Sequence, residues 1–262
     1  MLWYKSWLET RWRFLIGLGL LSIVACGAVF QYPAVLKLTP LASRINTTVI
    51  TNSAVERAIK EGLAVQSTYR GFIWWQWVRQ NLRQMWTIFA VLLGSGGLIA
   101  TSGSGGGGTL FMLSLPASRT RVAGVRAATA LGELLVLALV PSLVIPLLSP
   151  AIGQTYSLVD TLVHGVCTFV AGATFFSLAF LLSTVFSDLW RPLLITCAMA
   201  VVLAFFEGVL ALDGWPYGVF WVMSGESYFR GNGAPWLGLL ASAAVSAAML
   251  YAATKNIARQ DF

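Results

Sequence analysis

Charge is what this chain has least of. Only 10% of its 262 residues are Asp, Glu, Lys or Arg, against about 25% in an ordinary soluble domain. That is too few to clothe a water-facing surface, so most of the surface must face lipid or other protein. Histidine is almost missing. The single one, His164, opens an apolar run and has no HExxH partner, so it reads as an interfacial side chain and not as a metal ligand or base. The three cysteines, Cys26, Cys167 and Cys197, each sit in an apolar run. None lies in a polar loop where a disulfide would form, and none has metal-ligand spacing. Gly-Lys is missing altogether, because the four lysines follow Tyr4, Leu36, Ile59 and Thr254. That excludes a phosphate-binding P-loop, which needs Gly-Lys before Ser or Thr. The GxSxG spacing of a serine nucleophile is also missing, and Gly94-Ser95-Gly96 does not supply it. Nor does a small-residue cleavage site follow the apolar run after Arg11 and Arg13, which speaks against a cleavable signal peptide.

What the chain does have is apolar length. Hydrophobic residues make up 57% of it. They fall in long unbroken runs, which favour membrane helices over the alternating segments of a barrel. At roughly 20 residues per crossing, the sequence predicts an all-α polytopic membrane protein forming one transmembrane domain. It has six spans, at about 14–32, 85–101, 127–148, 161–186, 193–212 and 234–254. Residues 1–13 place Tyr4, Trp7, Leu8 and Trp12 on one helical side and Lys5, Ser6, Glu9 and Arg13 on the other, with Arg11 breaking the apolar face. This predicts an amphipathic helix lying in the interface. Pro33 is expected to end the first span, and Pro141 and Pro146 to kink the third. Trp74, Trp75, Trp77 and Trp86 read as an aromatic belt at a membrane surface. Residues 213–233, rich in aromatics and glycine, suit a short re-entrant or interfacial helix.

The net charge of +7 sits mostly between the apolar runs, where it serves headgroup contact and topology, so no nucleic-acid partner is expected. With the N-terminus inside, the cytoplasmic segments hold nine Lys or Arg and the outer ones eight, seven of these in the 33–83 stretch. Long loops translocate largely regardless of charge. Setting that stretch aside leaves only Arg230 outside, so both termini are read as cytoplasmic, in a multi-pass protein of the cell (inner) membrane. Residues 103–108 match GxGxxG in letters but follow no strand, so they read as a linker. Two acids fall within spans, Glu133 and Glu207. Each stands near a span end, where it either reaches headgroups or pairs with a cation (Arg126 for Glu133), or else lines a pathway. Small residues of the last span, such as Gly238, Ala241 and Ala248, read as close helix packing.

The segment 108–126, GTLFMLSLPASRTRVAGVR, resembles the signature of type-2 ATP-binding-cassette (ABC) transporter permeases. Their second span runs into G-T-L, then L-x-L-P-x-S-R, then a basic residue opening the third span. Those positions are Gly108, Thr109, Leu110, Leu113, Leu115, Pro116, Ser118, Arg119 and Arg126. The chain departs from that pattern at 102–107, which carries no acid. The resemblance implies a six-span half-transporter without a cofactor of its own. A separate cytoplasmic ABC ATPase would bind ATP and Mg, and a second permease copy or paralogue would complete the path through the lipid. It makes 102–126 the coupling region, with Thr109, Leu110, Phe111, Leu113, Leu115, Pro116, Ser118, Arg119 and Arg121 as contacts. It also makes Phe205, Phe206 and Leu210 a candidate outer gate, with ordinary core packing as the alternative. The implied activity is ATP-driven movement, most simply export, of a hydrophobic or amphipathic substrate. The rival readings are an energy-independent carrier or channel, which needs a polar site at mid-bilayer, and an intramembrane enzyme, which needs clustered His, Asp or Ser at depth.

Overall fold

The computed structural model describes residues 2–42, 62, 64–96, 119–186, 188–212 and 218–259, without the side chains of 38–42, 119 and 210–212. Among them there is no strand. The chain is all-helical, and five helices are long and apolar enough to cross a membrane: Leu2–Lys37, Thr120–Ile152, Leu158–Val185, Trp190–Val209 and Trp236–Arg259.

Helix α1, Leu2–Ala42, is one unbroken helix of 41 residues. Residues 2–13 thus continue into the following turns without a break, and Pro33, expected to end the first span, does not end the helix. A proline removes one backbone hydrogen bond, and in a helix this long the flanking turns carry the geometry past it. At 1.5 Å per residue α1 is about 60 Å long, twice the hydrocarbon core of about 30 Å. Its first turns are arranged inside out relative to a soluble helix. Ser6 and Thr10 are buried against the protein, while Trp3, Tyr4, Trp7 and Trp12 point outward.

Helix α2 runs without a break over 69–95, through Tyr69–Ile73, a π-helical stretch Trp74–Leu82, and Arg83–Ser95. Thr68 starts it, its hydroxyl accepting from the Gly71 N–H at 3.2 Å. The wider π turn sets Arg79 over the rings of Trp74 and Trp75, at 5.6 and 4.5 Å. The aromatic-belt reading fails here. Trp74, Trp77 and Trp86 are buried in the core, because each indole N–H finds an acceptor on another element. Trp74 Nε1 donates to the Ser224 carbonyl at 2.9 Å, Trp77 Nε1 to Ser142 Oγ at 3.3 Å, and Trp86 Nε1 to the Leu134 carbonyl at 3.0 Å.

Helix α3, Arg119–Leu148, passes through Pro141 and Pro146 without ending, then tightens into a 3-10 turn at Ser149–Ile152. Helix α4, Leu158–Val185, starts on Ser157 and is the most buried of the five candidate spans. It packs on α2, on α3 and on α8, the last helix, Trp236–Arg259. Helix α5, Trp190–Leu212, lies at the edge, held by α4, α2 and a short helix α6, Val219–Ser224. Gly225, at φ +60°, turns the chain from α6 into α7, Glu226–Phe229.

Close approach in this core depends on missing side chains. Gly94 lets α2 touch the Phe176 backbone of α4, and Gly172 leaves the space that the Trp86 ring fills. Gly172→Ala puts a methyl group into that ring and into Met223. Overpacking of this kind costs about 1–3 kcal/mol. Thermal unfolding in detergent should therefore show Gly172→Ala melting below the parent, whereas Gly132→Ala, at an open site, should melt with it.

Candidate functional site

Two polar clusters stand at opposite ends of the bundle. At one end α2 finishes and α3 begins, so this end flanks residues 97–118. Arg13 Nη1 donates to the Leu92 carbonyl at 3.0 Å, one of the carbonyls a helix C-terminus leaves without an internal partner. Arg126, part-buried, reaches the same end beside Gly96 and pairs with Glu9 at 3.9 Å. Two guanidinium groups thus meet the negative end of α2. Between the same two helices, α1 and α3, Thr10 Oγ1 donates to Glu133 at 2.5 Å. Nearby, Asn256 Nδ2 ties α8 to the end of α4 through the Thr184 carbonyl at 3.1 Å and its hydroxyl at 3.0 Å.

Of the readings open for Glu133, the pair with Arg126 is therefore not formed. Glu133 points across to α1 and is buried at 6% exposure, while Arg126 takes Glu9. A seven-residue separation places both on α3, but the acceptors and donors on α1 lie closer than either does to the other. Of the expected coupling residues, Thr109, Leu110, Phe111, Leu113, Leu115, Pro116 and Ser118 lie outside the described residues. Arg119 is described only as the first residue of α3, and Arg121 is exposed in its first turn.

The opposite end carries a cap made of α6, Gly225 and α7. Glu207 on α5 accepts from the N–H of Phe220 and of Trp221, both at 3.1 Å. One carboxylate therefore serves two of the N–H groups that the first turn of α6 leaves unpaired. Gly218 must lack a side chain, since a Cβ there would meet this carboxylate. Glu207 is thus a cap residue for a neighbouring helix. Arg83 completes the corner. It lies over the Phe220 ring at 5.3 Å and near enough to Glu207 and Glu226 to interact with both charges.

Farther along the cap, the Ser224 carbonyl accepts from Trp74 Nε1 at 2.9 Å and from His164 Nδ1 at 3.1 Å. Thr168 Oγ1 donates to the Met223 carbonyl at 3.1 Å. Asp160 accepts from Arg70 Nε at 2.7 Å and from the Tyr228 hydroxyl at 3.0 Å. Phe229 stacks on Trp74 with centroids 4.2 Å apart and planes 6° apart. In the connecting loop, burial first and the nearby Asp160 charge second push the Tyr156 phenol above its usual range. His164 is thus buried within the cap contact and not at an interface. Asp160, Arg70 and Tyr228 were missed from the sequence, although Asp160 stands four residues before His164 and so shares its helix face.

Phe205 and Phe206 lie outside the core of this single chain. They are 69% and 58% exposed on α5, ring to ring at 6.3 Å. The Leu210 side chain lies outside the described residues. Among the described residues no cluster of His, Cys, Asp or Glu is placed to hold a metal ion. No protein-family model, no curated protein and no solved structure matches this chain.

The capping role gives Glu207 a test. Glu207→Ala leaves two N–H groups unpaired at the start of α6 and should lower stability by about 1–2 kcal/mol. Glu207→Gln keeps one acceptor oxygen and should lose less. Equal melting temperatures for Glu207→Ala and the parent would show that the carboxylate does not hold the cap.

Proposed function

We propose that this chain is the permease subunit of an ABC transporter, an exporter of hydrophobic or amphipathic substrates driven by ATP hydrolysed on a separate subunit. One observation carries the reading, the segment 108–126 with its G-T-L, L-x-L-P-x-S-R and Arg126 elements at the junction of α2 and α3. The surroundings of that junction support it. Arg13 grips the end of α2 and Glu9 grips Arg126 on α3, so a push on the intervening segment reaches α1, α2 and α3 together. Such a push is how closure of a docked ATPase re-orients spans.

In this reading α2 is the sixth crossing. Its run over 69–95 is about 40 Å long and joins the five apolar helices, leaving both termini cytoplasmic in the cell (inner) membrane and the 218–230 cap outside. The first turns of α1, with their outward aromatics, lie against headgroups or the ATPase. Thr109, Leu110, Phe111, Leu113, Leu115 and Pro116 form the docking surface, with Ser118, Arg119 and Arg121 at its polar edge. The outward Phe205 and Phe206 of α5 face the lipid or a second permease copy. Glu133 and Glu207 are engaged locally, so the pathway is not assigned to them.

Phe111→Asp with Leu115→Asp sets two charges in an apolar docking groove. A buried charge without a partner costs about 3–5 kcal/mol. The ATPase should dissociate, or its hydrolysis should lose all dependence on the permease. Asn232→Asp, exposed in the loop after the cap, should leave docking and coupled hydrolysis intact. A 111/115 double variant that still couples hydrolysis to transport removes this segment as the coupling element.

A further inference from the structure

We infer that the cap 218–230 is an acid-released latch, held shut by neutral His164 and freed when that ring takes up a proton. The Ser224 carbonyl can only accept, so His164 Nδ1 carries the hydrogen of the 3.1 Å bond. Nε2 then has a bare lone pair. It is buried and has no hydrogen-bond partner among the described residues.

Every element packed around the ring supplies a group that matters. From α4 itself come Asp160, one turn back, and Cys167, near Gly225. From α2 comes the Arg70 guanidinium, already bound to Asp160. From the cap come the Ser224 carbonyl and the Tyr228 ring, edge-on at 5.7 Å. Glu226, the other acid of the cap, is held by Arg230 at 2.6 Å. Gly225 presses so closely on the ring that a Cβ there would stand 2.7 Å from Nδ1.

A proton on Nε2 turns this arrangement against itself. The new N–H is buried without an acceptor, and the new charge shares the cluster with Arg70. Asp160 is the carboxylate within reach, one helical turn away. Oδ2 accepts from Arg70 Nε, and Oδ1 from the Tyr228 hydroxyl and, at 3.4 Å, from Arg70 Nη2. An imidazolium that draws Asp160 toward itself competes with Tyr228 and Arg70 for that carboxylate, and so weakens the bond that ties α7 to α4. Gly225, already at φ +60°, is the point about which α6 and α7 can swing apart. Opening also returns Nε2 to water. One proton taken up on opening shifts the open-to-closed ratio by up to about tenfold per pH unit.

The chain has one histidine, so ring-labelled ¹⁵N-histidine in the full-length protein in nanodiscs reports His164 alone. At neutral pH the spectrum should show Nδ1 protonated and Nε2 bare. On acidification the ring should titrate with the same midpoint as a rise in hydrogen exchange of the 219–229 amides. That rise should be at least tenfold by pH 5 after correction for intrinsic rates, and α8 should not follow. His164→Phe should exchange at a pH-independent corrected rate. A neutral-pH ring protonated on Nε2, a titration without change in cap exchange, or the same acceleration in His164→Phe overturns the latch. Should His164→Phe fail to fold, the coincidence of the two wild-type midpoints decides the matter by itself.

Discussion

A buried polar group has only the protein to bond to, and the architecture here follows from how α2 meets that constraint. Three tryptophans on one helix each carry an N–H that water would otherwise satisfy. Trp74 spends it on the cap, Trp77 on Ser142 and Trp86 on the Leu134 carbonyl, both of α3. These bonds orient α2 so that its small residues meet α4, and Gly94 and Gly172 give the room for contact. The cap then rests on a finished surface, its carbonyls at Met223 and Ser224 taken up by Thr168, His164 and Trp74. Fixing α2 therefore also fixes where the other polar groups must go.

The same economy explains the two ends of the bundle. At the end flanking 97–118, two arginines meet the carbonyl end of α2, and Thr10 and Glu133 join α1 to α3. At the cap end a carboxylate on α5 starts a helix that is not its own. In both places a charge that would be costly alone is tied to backbone dipoles or to an opposite charge. Among the buried side-chain atoms left without a hydrogen-bond partner in the described residues is Nε2 of His164, beneath the cap.

Much of this fold is legible in the sequence. Apolar runs over 127–148, 161–186, 193–212 and 234–254 fall on helices, because hydrophobic length is the direct requirement of the hydrocarbon core. The failures have physical causes. Pro33 reads as a stop, yet a proline flanked by long helical segments on both sides does not end them. Tryptophan density reads as a belt, but a core position and an interface both suit an indole with one polar atom. The difference lies in Ser142, Leu134 and Ser224, remote in sequence. Glu207 was singled out for its cost in a membrane, while its task depends on Phe220 and Trp221 across a loop. Asp160 was passed over although it shares a face with His164, because Arg70 and Tyr228, which give it meaning, come from other elements.

The proposed function requires an ATPase on a separate subunit. The most direct measurement is gentle purification of the untagged partner set from native membranes through a tag on this chain, with every co-purifying chain identified and its amount measured. The account predicts an ABC ATPase in fixed proportion to the permease, hydrolysing ATP in the complex, while the permease freed of it hydrolyses none. Recovery of this chain alone, still able to move substrate across a membrane without nucleotide, would contradict it.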